Sequence, residues 1–416
     1  MAKNVLVIGG GIIGLCSAYY LQKEGHNVTV IDKSDMTGGA SYVNAGYLTP
    51  SHIVPLAAPG MILKGLRYMF NSASPFYMKP RLDADFLKWA WAFKKSATKQ
   101  KVEKAMPIIK DINILSRELF EMLKSNGDLG DFHLERKGLL MFYQTEKERD
   151  HELKIAEKAN FLGLEVNLLD ENGIKKVEPN IKINAKGAIH YECDGHTTPT
   201  EFMERMKLYL QKTNVKVLKN EQVIDFEVSE GKIKSVKTDK ANHFADEVVF
   251  AAGSWTSTMA KKLNIRLLLQ AGKGYRIDVA AWTGITMPAI LMEAKMAVTP
   301  MRGFTRFAGT MEFSGVNSII RKERVAAIAK GAENFYEGLK IQQDDIANAQ
   351  CGLRPVSPDG LPYIGRTSNL KNLIFATGHA MMGWSLGPIT GKLVSEIISN
   401  EKTSLPLLPF SPDRKF

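Results

Sequence analysis

The chain of 416 residues is 44% hydrophobic and 24% charged. That composition excludes a disordered or fibrous protein, and the length exceeds the roughly 250–300 residues one hydrophobic core organises, so two lobes are expected. The 55 Lys and Arg against 44 Asp and Glu leave a net charge of +11, spread without a dense arginine stripe or an RNA-binding motif, so nucleic acid is not an expected partner.

In chain order, NVLVI (4–8) reads as a short apolar strand, IIGLCSAYYLQKEG (12–25) as a helix stopped by Gly25, and NVTVID (27–32) as the next strand: a βαβ unit opens the chain. Met1-Ala2-Lys3 leads directly into that first strand, and no apolar run reaches the ~18–20 residues of a membrane span, so neither a signal peptide nor a span is expected. From 50 to 130 the pattern turns helical and aromatic, interrupted by Pro55, Pro59, Pro75 and Pro80. There Phe86, Trp89 and Trp91 stand beside Lys94, Lys95, Lys99 and Lys101, which reads either as an interfacial helix or as a solvated helix face with core aromatics. GLLMFYQ (138–144) is strand-like, followed by a charged helix from Glu146 to about Leu162.

A second α/β block begins at GAIHYE (187–192) and runs through a helix at 199–212 and VKVLKN (215–220) to EVVFAAG (247–253). Residues 274–325 look like β segments and 335–348 like a helix; LIFATG (373–378) is a buried-type strand, with a helix after it to about Ser399. Strand signals at both ends and in the middle imply a sheet assembled from distant pieces. The fold class is therefore α/β, a Rossmann-like cofactor-binding domain with an inserted substrate domain on a mixed or antiparallel sheet plus helices. The cofactor domain is expected from 1–50, 185–260 and 350–400, the substrate domain from 51–184 and 261–349, with 401–416 as a tail.

Three cysteines, Cys16, Cys193 and Cys351, are widely spaced without metal-type pairing, which argues for a reducing compartment and against a disulfide framework or a structural zinc; no metal is expected. The glycines are more informative. Gly9, Gly11 and Gly14 fit G-x-G-x-x-G, giving a tight turn, a close backbone approach to a pyrophosphate, and a helix packed near its strand. The anion would rest on the helix N-terminus. Asp32, ending the second strand, is placed to accept from a ribose hydroxyl and argues against a 2′-phosphate; Lys33 beside it softens that objection in part. Nicotinamide and flavin dinucleotides both use such cradles, so the motif leaves the cofactor open.

Further stretches carry more: KSDMTGGASYVNAGYLTP (33–50), KVEPNI (176–181), KGY (273–275), GLRPVSPDGLPYIG (352–365), NLIFATGHAMMGWSLGPITGKLVSEI (372–397) and the tail PFSPDRKF. Over its whole length the chain resembles the FAD-dependent D-amino-acid dehydrogenase family of the amino-acid oxidase and glycine oxidase superfamily. The resemblance selects FAD. It implies that Ser41, Asn44, Ala45 and Gly46 lie along the flavin, that Gly253 and Gly378 end strands passing it, and that Gly383 and Trp384 also touch it. A helix beginning after Gly378-His379 would aim its dipole at the flavin pyrimidine, where negative charge builds on reduction.

Such an oxidation needs a neutral amine, a Cα–H aimed at flavin N5 and a clamp on the substrate carboxylate; the cofactor does the rest. An arginine fork suits the carboxylate, and by resemblance Arg354 of GLRP supplies it; the alternative is an arginine paired with Asp359. Tyr275 adds a hydroxyl to the same carboxylate or is simply core, and His379 is either catalytic or a hydrogen-bonded structural histidine. His196 lines the pocket or caps the helix at 199. Met381 and Met382 stand where some relatives carry a second arginine, so a larger, less polar pocket is expected.

The reaction implied is oxidative deamination of a D-amino acid, with a 2-oxo acid and ammonia as products. AVTPMRGFTRFAGTMEF (297–313) also resembles a subgroup for which D-hydroxyproline or another cyclic imino acid is a reasonable substrate, and a glycine or sarcosine-type oxidase producing peroxide is the other alternative. The family favours a quinone or respiratory carrier as electron acceptor. That would place the protein in the cytoplasm, peripherally on the inner face of the cell membrane through residues 86–101.

Overall fold

The computed structural model describes residues 1–60, 76–79 and 83–416; Pro75 and Pro80 of the helical-aromatic stretch lie outside these. The βαβ unit forms where the pattern puts it, as strand Asn4–Ile8, helix Ile12–Lys23 and strand Asn27–Ile31. The strands run parallel, with Val5 opposite Val28 and Ile8 opposite Ile31. They belong to a six-stranded sheet in the order Lys216–Leu218, Asn27–Ile31, Asn4–Ile8, Glu247–Phe250, Leu373–Thr377, Tyr363–Arg366. The first five are parallel and the last antiparallel.

Parallel strands covered on both faces must be apolar at every position, and the period of two splits them cleanly. Val5 and Val7 pack with helices Ile12–Lys23 and Pro199–Lys212, while Leu6 and Ile8 join Ile233 and Val236 of a small antiparallel sheet on the other side. The tail closes the far edge: Arg414 bonds Asp359 with both arms at 2.8 and 2.9 Å and stacks 4.0 Å over the Tyr363 ring.

A second sheet of nine described strands stands against this one. Its order is Gln350–Val356, Gln270–Val279, Phe304–Phe313, Met296–Met301, Ala289–Leu291, Leu139–Tyr143, Gly187–Tyr191, Val166–Leu169, with Phe76–Met78 added beside Phe304–Phe313. Glu178 of KVEPNI is buried under this lobe, accepting from the Thr286 and Met287 N–H groups and the Thr286 hydroxyl at 2.7–3.0 Å. That motif residue ties a loop down.

Three expectations need correction. Gly187–Tyr191 and Gln350–Val356, placed within the cofactor segments 185–260 and 350–400, pair in the nine-stranded sheet; a strand's own residues do not name the neighbour it pairs with. The helix expected at 335–348 lies instead at Lys322–Phe335, where Val325, Ile328, Ala329, Ala332 and Phe335 form one apolar face. Only the short turn Gln343–Ala347 follows. Finally, the helix after LIFATG starts at Gly387, with Pro388 in its first turn, after an intervening 3-10 turn at Ala380–Met382. Proline favours a helix start because it has no N–H to leave unpaired.

Candidate active site

The cradle depends on close approaches. Gly9 has φ +114°, and a Cβ on Gly14 would sit 1.8 Å from the Gly9 carbonyl oxygen. Glycine alone lets the helix begin this near the first strand. Gly11 and Ile12 open onto a cleft there, and the Ile12 N–H donates to Ser41 Oγ at 2.9 Å. Asp32 Oδ2 accepts from the Gly10 N–H at 2.6 Å, and Oδ1 accepts from the Ser34 N–H and hydroxyl at 2.8 and 2.6 Å. A carboxylate offers about four lone-pair positions, so these three bonds hold Asp32 and leave room for one hydroxyl. Lys33 also lines the cleft, its ammonium 3.7 Å over the Trp255 ring, and desolvation lowers its pKa.

The cleft runs from this cradle to the edge of the nine-stranded sheet, with a volume of about 560 Å³. Ser41, Asn44, Gly253, His379, Gly383 and Trp384 line it. Ala45, Gly46 and Gly378 do not: the Ala45 carbonyl accepts from Thr299 Oγ1, Gly46 backs onto the Thr197 carbonyl, and Gly378 lies against the Tyr363 ring. Sequence reasoning overlooked Met36, which covers Gly10, and above all Arg306. Fully buried, Arg306 holds Asp278 with two bonds of 2.8 and 3.0 Å and donates to the Tyr42 and Asn44 carbonyls at 2.9 and 2.8 Å. It fixes the loop that forms one side of the cleft. Nothing in FTRFAG marks it, because the loop carbonyls it holds are more than 250 residues away.

Arg354 reaches the cleft as well. Its guanidinium lies on Gly274, where a Cβ would come within 2.2 Å of Nη1, and Nη1 donates to the Thr310 carbonyl at 3.0 Å. Thr310 has φ +68° at an irregularity where the pairing of Gln270–Val279 with Phe304–Phe313 shifts; such a bulge re-aims backbone groups. No carboxylate lies within ion-pairing distance of Arg354 among the described residues, and Asp359 is taken by Arg414. Burial pulls the guanidinium down to about 10, the mark of a cation held without its counter-ion.

Tyr275 is turned away. Gly272 is paired with Arg354 and Tyr275 with Cys351, so Tyr275 occupies the opposite face of the strand, where its hydroxyl donates to Glu312 at 2.6 Å. The expectation erred by one residue, and in a strand one residue changes the face. His379 is buried and shares a 2.9 Å hydrogen bond with Thr390 Oγ1, and burial holds its pKa at about 3, so the ring is neutral. His196 neither lines the cleft nor caps the 199–212 helix, whose N-cap is Thr198; it lies inside a small sheet formed by Tyr47–Leu48, Gly195–Thr197 and Leu134–Glu135.

A long cleft that begins at a helix N-terminus, passes an anchored acid and small residues, and ends at a guanidinium with no carboxylate partner among the described residues fits a dinucleotide with a substrate beyond it. The comparisons agree: residues 4–397 match the family described as FAD dependent oxidoreductase, and the chain belongs to that family. FAD is its cofactor. Among curated relatives, a D-amino acid dehydrogenase of Helicobacter pylori is 32% identical over 409 residues, covering 97% of both chains. One from Neisseria gonorrhoeae is 30% identical over 411 residues, with the same coverage. Among solved structures, glycine oxidase from Geobacillus kaustophilus superposes with a TM-score of 0.79 at 21% identity, covering 100% of this chain and 99% of that one. L-proline dehydrogenase from P.horikoshii does so with 0.74 at 20%, covering 99% and 97%; these two likenesses speak to the fold.

Proposed function

We propose that this flavoenzyme oxidises the Cα–N bond of a D-amino acid, with Arg354 gripping the substrate carboxylate. The observation that carries the reading is the half-buried guanidinium on Gly274, without an acidic partner among the described residues, at the end of a cleft that starts at the dinucleotide cradle. Bound FAD supplies the hydride acceptor. The substrate needs a neutral amine: as hydride leaves Cα, the nitrogen lone pair forms the C=N bond and the nitrogen loses a proton. Water then adds to the imine, giving the 2-oxo acid and ammonia.

The chain's own contribution is positional. The planar fork of Arg354 makes paired charge-assisted bonds to a carboxylate and fixes its orientation, while the Thr310 carbonyl and the bare face of Gly274 hold the fork. His379, neutral and bonded to Thr390, does not act as a charged acid. Met381 lines the cleft where a second cation would otherwise narrow the choice of substrate.

Electrons then pass to a quinone or respiratory acceptor. The helix Ala84–Ser96 supports a peripheral seat on an anionic bilayer: Phe86, Trp89 and Phe93 are core, whereas Leu87 and Trp91 are exposed and Lys94 and Lys95 lie over the Trp91 ring at 5.4 and 5.6 Å. No helix of the described residues is long and apolar enough to cross a membrane. Anaerobic bleaching of the flavin by a panel of D- and L-amino acids, including the hydroxyproline isomers, tests the reaction. Bleaching by D-isomers is expected; reduction by L-isomers alone, or by no amino acid, defeats the reading. Dye reduction against oxygen consumption then separates a dehydrogenase from an oxidase.

A further inference from the structure

The small sheet that holds His196 contributes no side chain from Leu134–Glu135 to the cleft, yet it gathers three metal-ligating groups. Glu135 is paired directly with His196, and His133 lies two residues before Glu135, on the same side by strand alternation. His133 Nε2 is 3.5 Å from Glu135 Oε1, His196 Nε2 is 3.7 Å from Glu135 Oε2, and one donor atom from each residue lies within 4.8 Å of the other two. Two imidazoles and a carboxylate suit a divalent first-row ion, and with bonds of about 2.0–2.1 Å the ligand atoms of a tetrahedral zinc stand roughly 3.3–3.4 Å apart. The two separations to Glu135 need close by only a few tenths of an ångström.

We propose that His133, Glu135 and His196 form a binding site for a divalent first-row transition ion, zinc above all, with water completing the tetrahedron. The state of His196 points to a missing ligand. Its side chain is wholly buried, and neither ring nitrogen makes a well-formed hydrogen bond among the described residues, the Pro300 carbonyl being the backbone acceptor beside it. Buried polar groups are rarely left so. His133 is already oriented for the task, with Nδ1 2.8 Å from Thr198 Oγ1, which also accepts the Arg302 N–H at 2.9 Å. One ring nitrogen is thereby held and the other faces the cluster, as in metal-binding histidines whose second nitrogen is anchored. Lys137 pairs at 2.6 Å with Glu135 Oε2, the oxygen His196 faces, while Oε1 faces His133; an ion between the two rings would compete with Lys137 for this carboxylate.

The site is separate from the cleft but mechanically joined to it. Thr197, next to His196, accepts the Trp384 indole N–H at 2.8 Å and donates to the Gly46 carbonyl at 3.1 Å, and Trp384 lines the cleft. A bound ion would stiffen the strand that supports this side of the flavin site.

The test uses the FAD-loaded full chain after treatment with a chelator. Cobalt(II) is the spectroscopic probe and zinc uptake is counted by elemental analysis. One equivalent of cobalt should give a ligand-field band to the red of the flavin bands, and zinc should displace it. Glu135→Gln and His133→Gln, both at partly exposed positions, should abolish the band and weaken zinc binding at least 100-fold. Thr198→Val should weaken it about 10–100-fold. Flavin absorbance and circular dichroism verify that each variant is folded. Absence of stoichiometric uptake by the unaltered protein, or unchanged uptake in both ligand variants, overturns the proposal.

Discussion

The paired strands Gln270–Val279 and Gln350–Val356 carry a cation on each face, Arg354 on one and Lys273 on the other. Lys273 is saturated. Its ammonium donates to Asn317 Oδ1 at 2.5 Å and to the Ile319 carbonyl at 2.8 Å and lies 3.3 Å from Glu312. Glu312 also meets Arg321 and Arg324 and accepts the Tyr275 hydroxyl. Burial alone would raise the Glu312 carboxyl, but hydrogen bonds from Ser314 and Tyr275 and the Lys273 and Arg324 charges bring it below its ordinary value. Arg354 has one backbone acceptor and no such carboxylate among the described residues. A buried charge satisfied from within holds a fold together; one left unsatisfied at a cleft awaits a ligand.

That contrast can be broken, and the largest effect comes from the cofactor cleft that the Arg354 face lines. Gly11→Leu puts a branched side chain into the cleft beside Ser41 Oγ, which already stands 3.1 Å from a Cβ at that position; the variant should purify without flavin absorbance, and a fully yellow protein refutes the cradle. On the saturated face, Glu312→Gln removes the carboxylate shared by Lys273, Arg321 and Arg324 and should cost about 3–5 kcal/mol in chemical denaturation, with little change in apparent affinity for substrate. On the open face the signature reverses: Arg354→Lys should retain FAD and stability but raise KM about 10–100-fold, because an ammonium cannot reproduce the fork. Unchanged KM removes Arg354 from the substrate site.

Two smaller effects sharpen the contrast. Tyr275→Phe should lower stability by about 1.5 kcal/mol, the worth of a hydrogen bond to a charged group, and leave KM alone; a rise in KM matching that of Arg354→Lys would return Tyr275 to the cleft. His379→Gln, which keeps a hydrogen-bonding group toward Thr390, should cost about 1 kcal/mol. Because burial holds His379 near 3, it is neutral throughout pH 5–8. The pH dependence of turnover in that range should therefore be unaltered in shape, and loss of an ionisation from the profile would show that His379 titrates.

What could be read in advance follows from distance along the chain. Gly9, Gly11, Gly14 and Asp32 lie within 24 residues and act through backbone geometry, so spacing betrays them. Arg354 was singled out through the resemblance of GLRP to the family motif, and the structure places it at the cleft. For Tyr275, also in a recognisable motif, the choice between carboxylate contact and core stays open in the sequence because a motif does not state which face of a strand it presents; the structure makes it core. Arg306 could not be found at all, since it grips carbonyls of residues 42 and 44 from the other sheet.

By itself the sequence determined the βαβ cradle and, through its motifs, the flavin class, because local turns, helix starts and short motifs are encoded by neighbours. Tertiary structure decided which sheet Gly187–Tyr191 and Gln350–Val356 join, which face holds Tyr275, and that His133, Glu135 and His196 meet across two strands. Strand pairing and register are chosen by burial of whole faces against distant partners, and no stretch of chain carries that information alone.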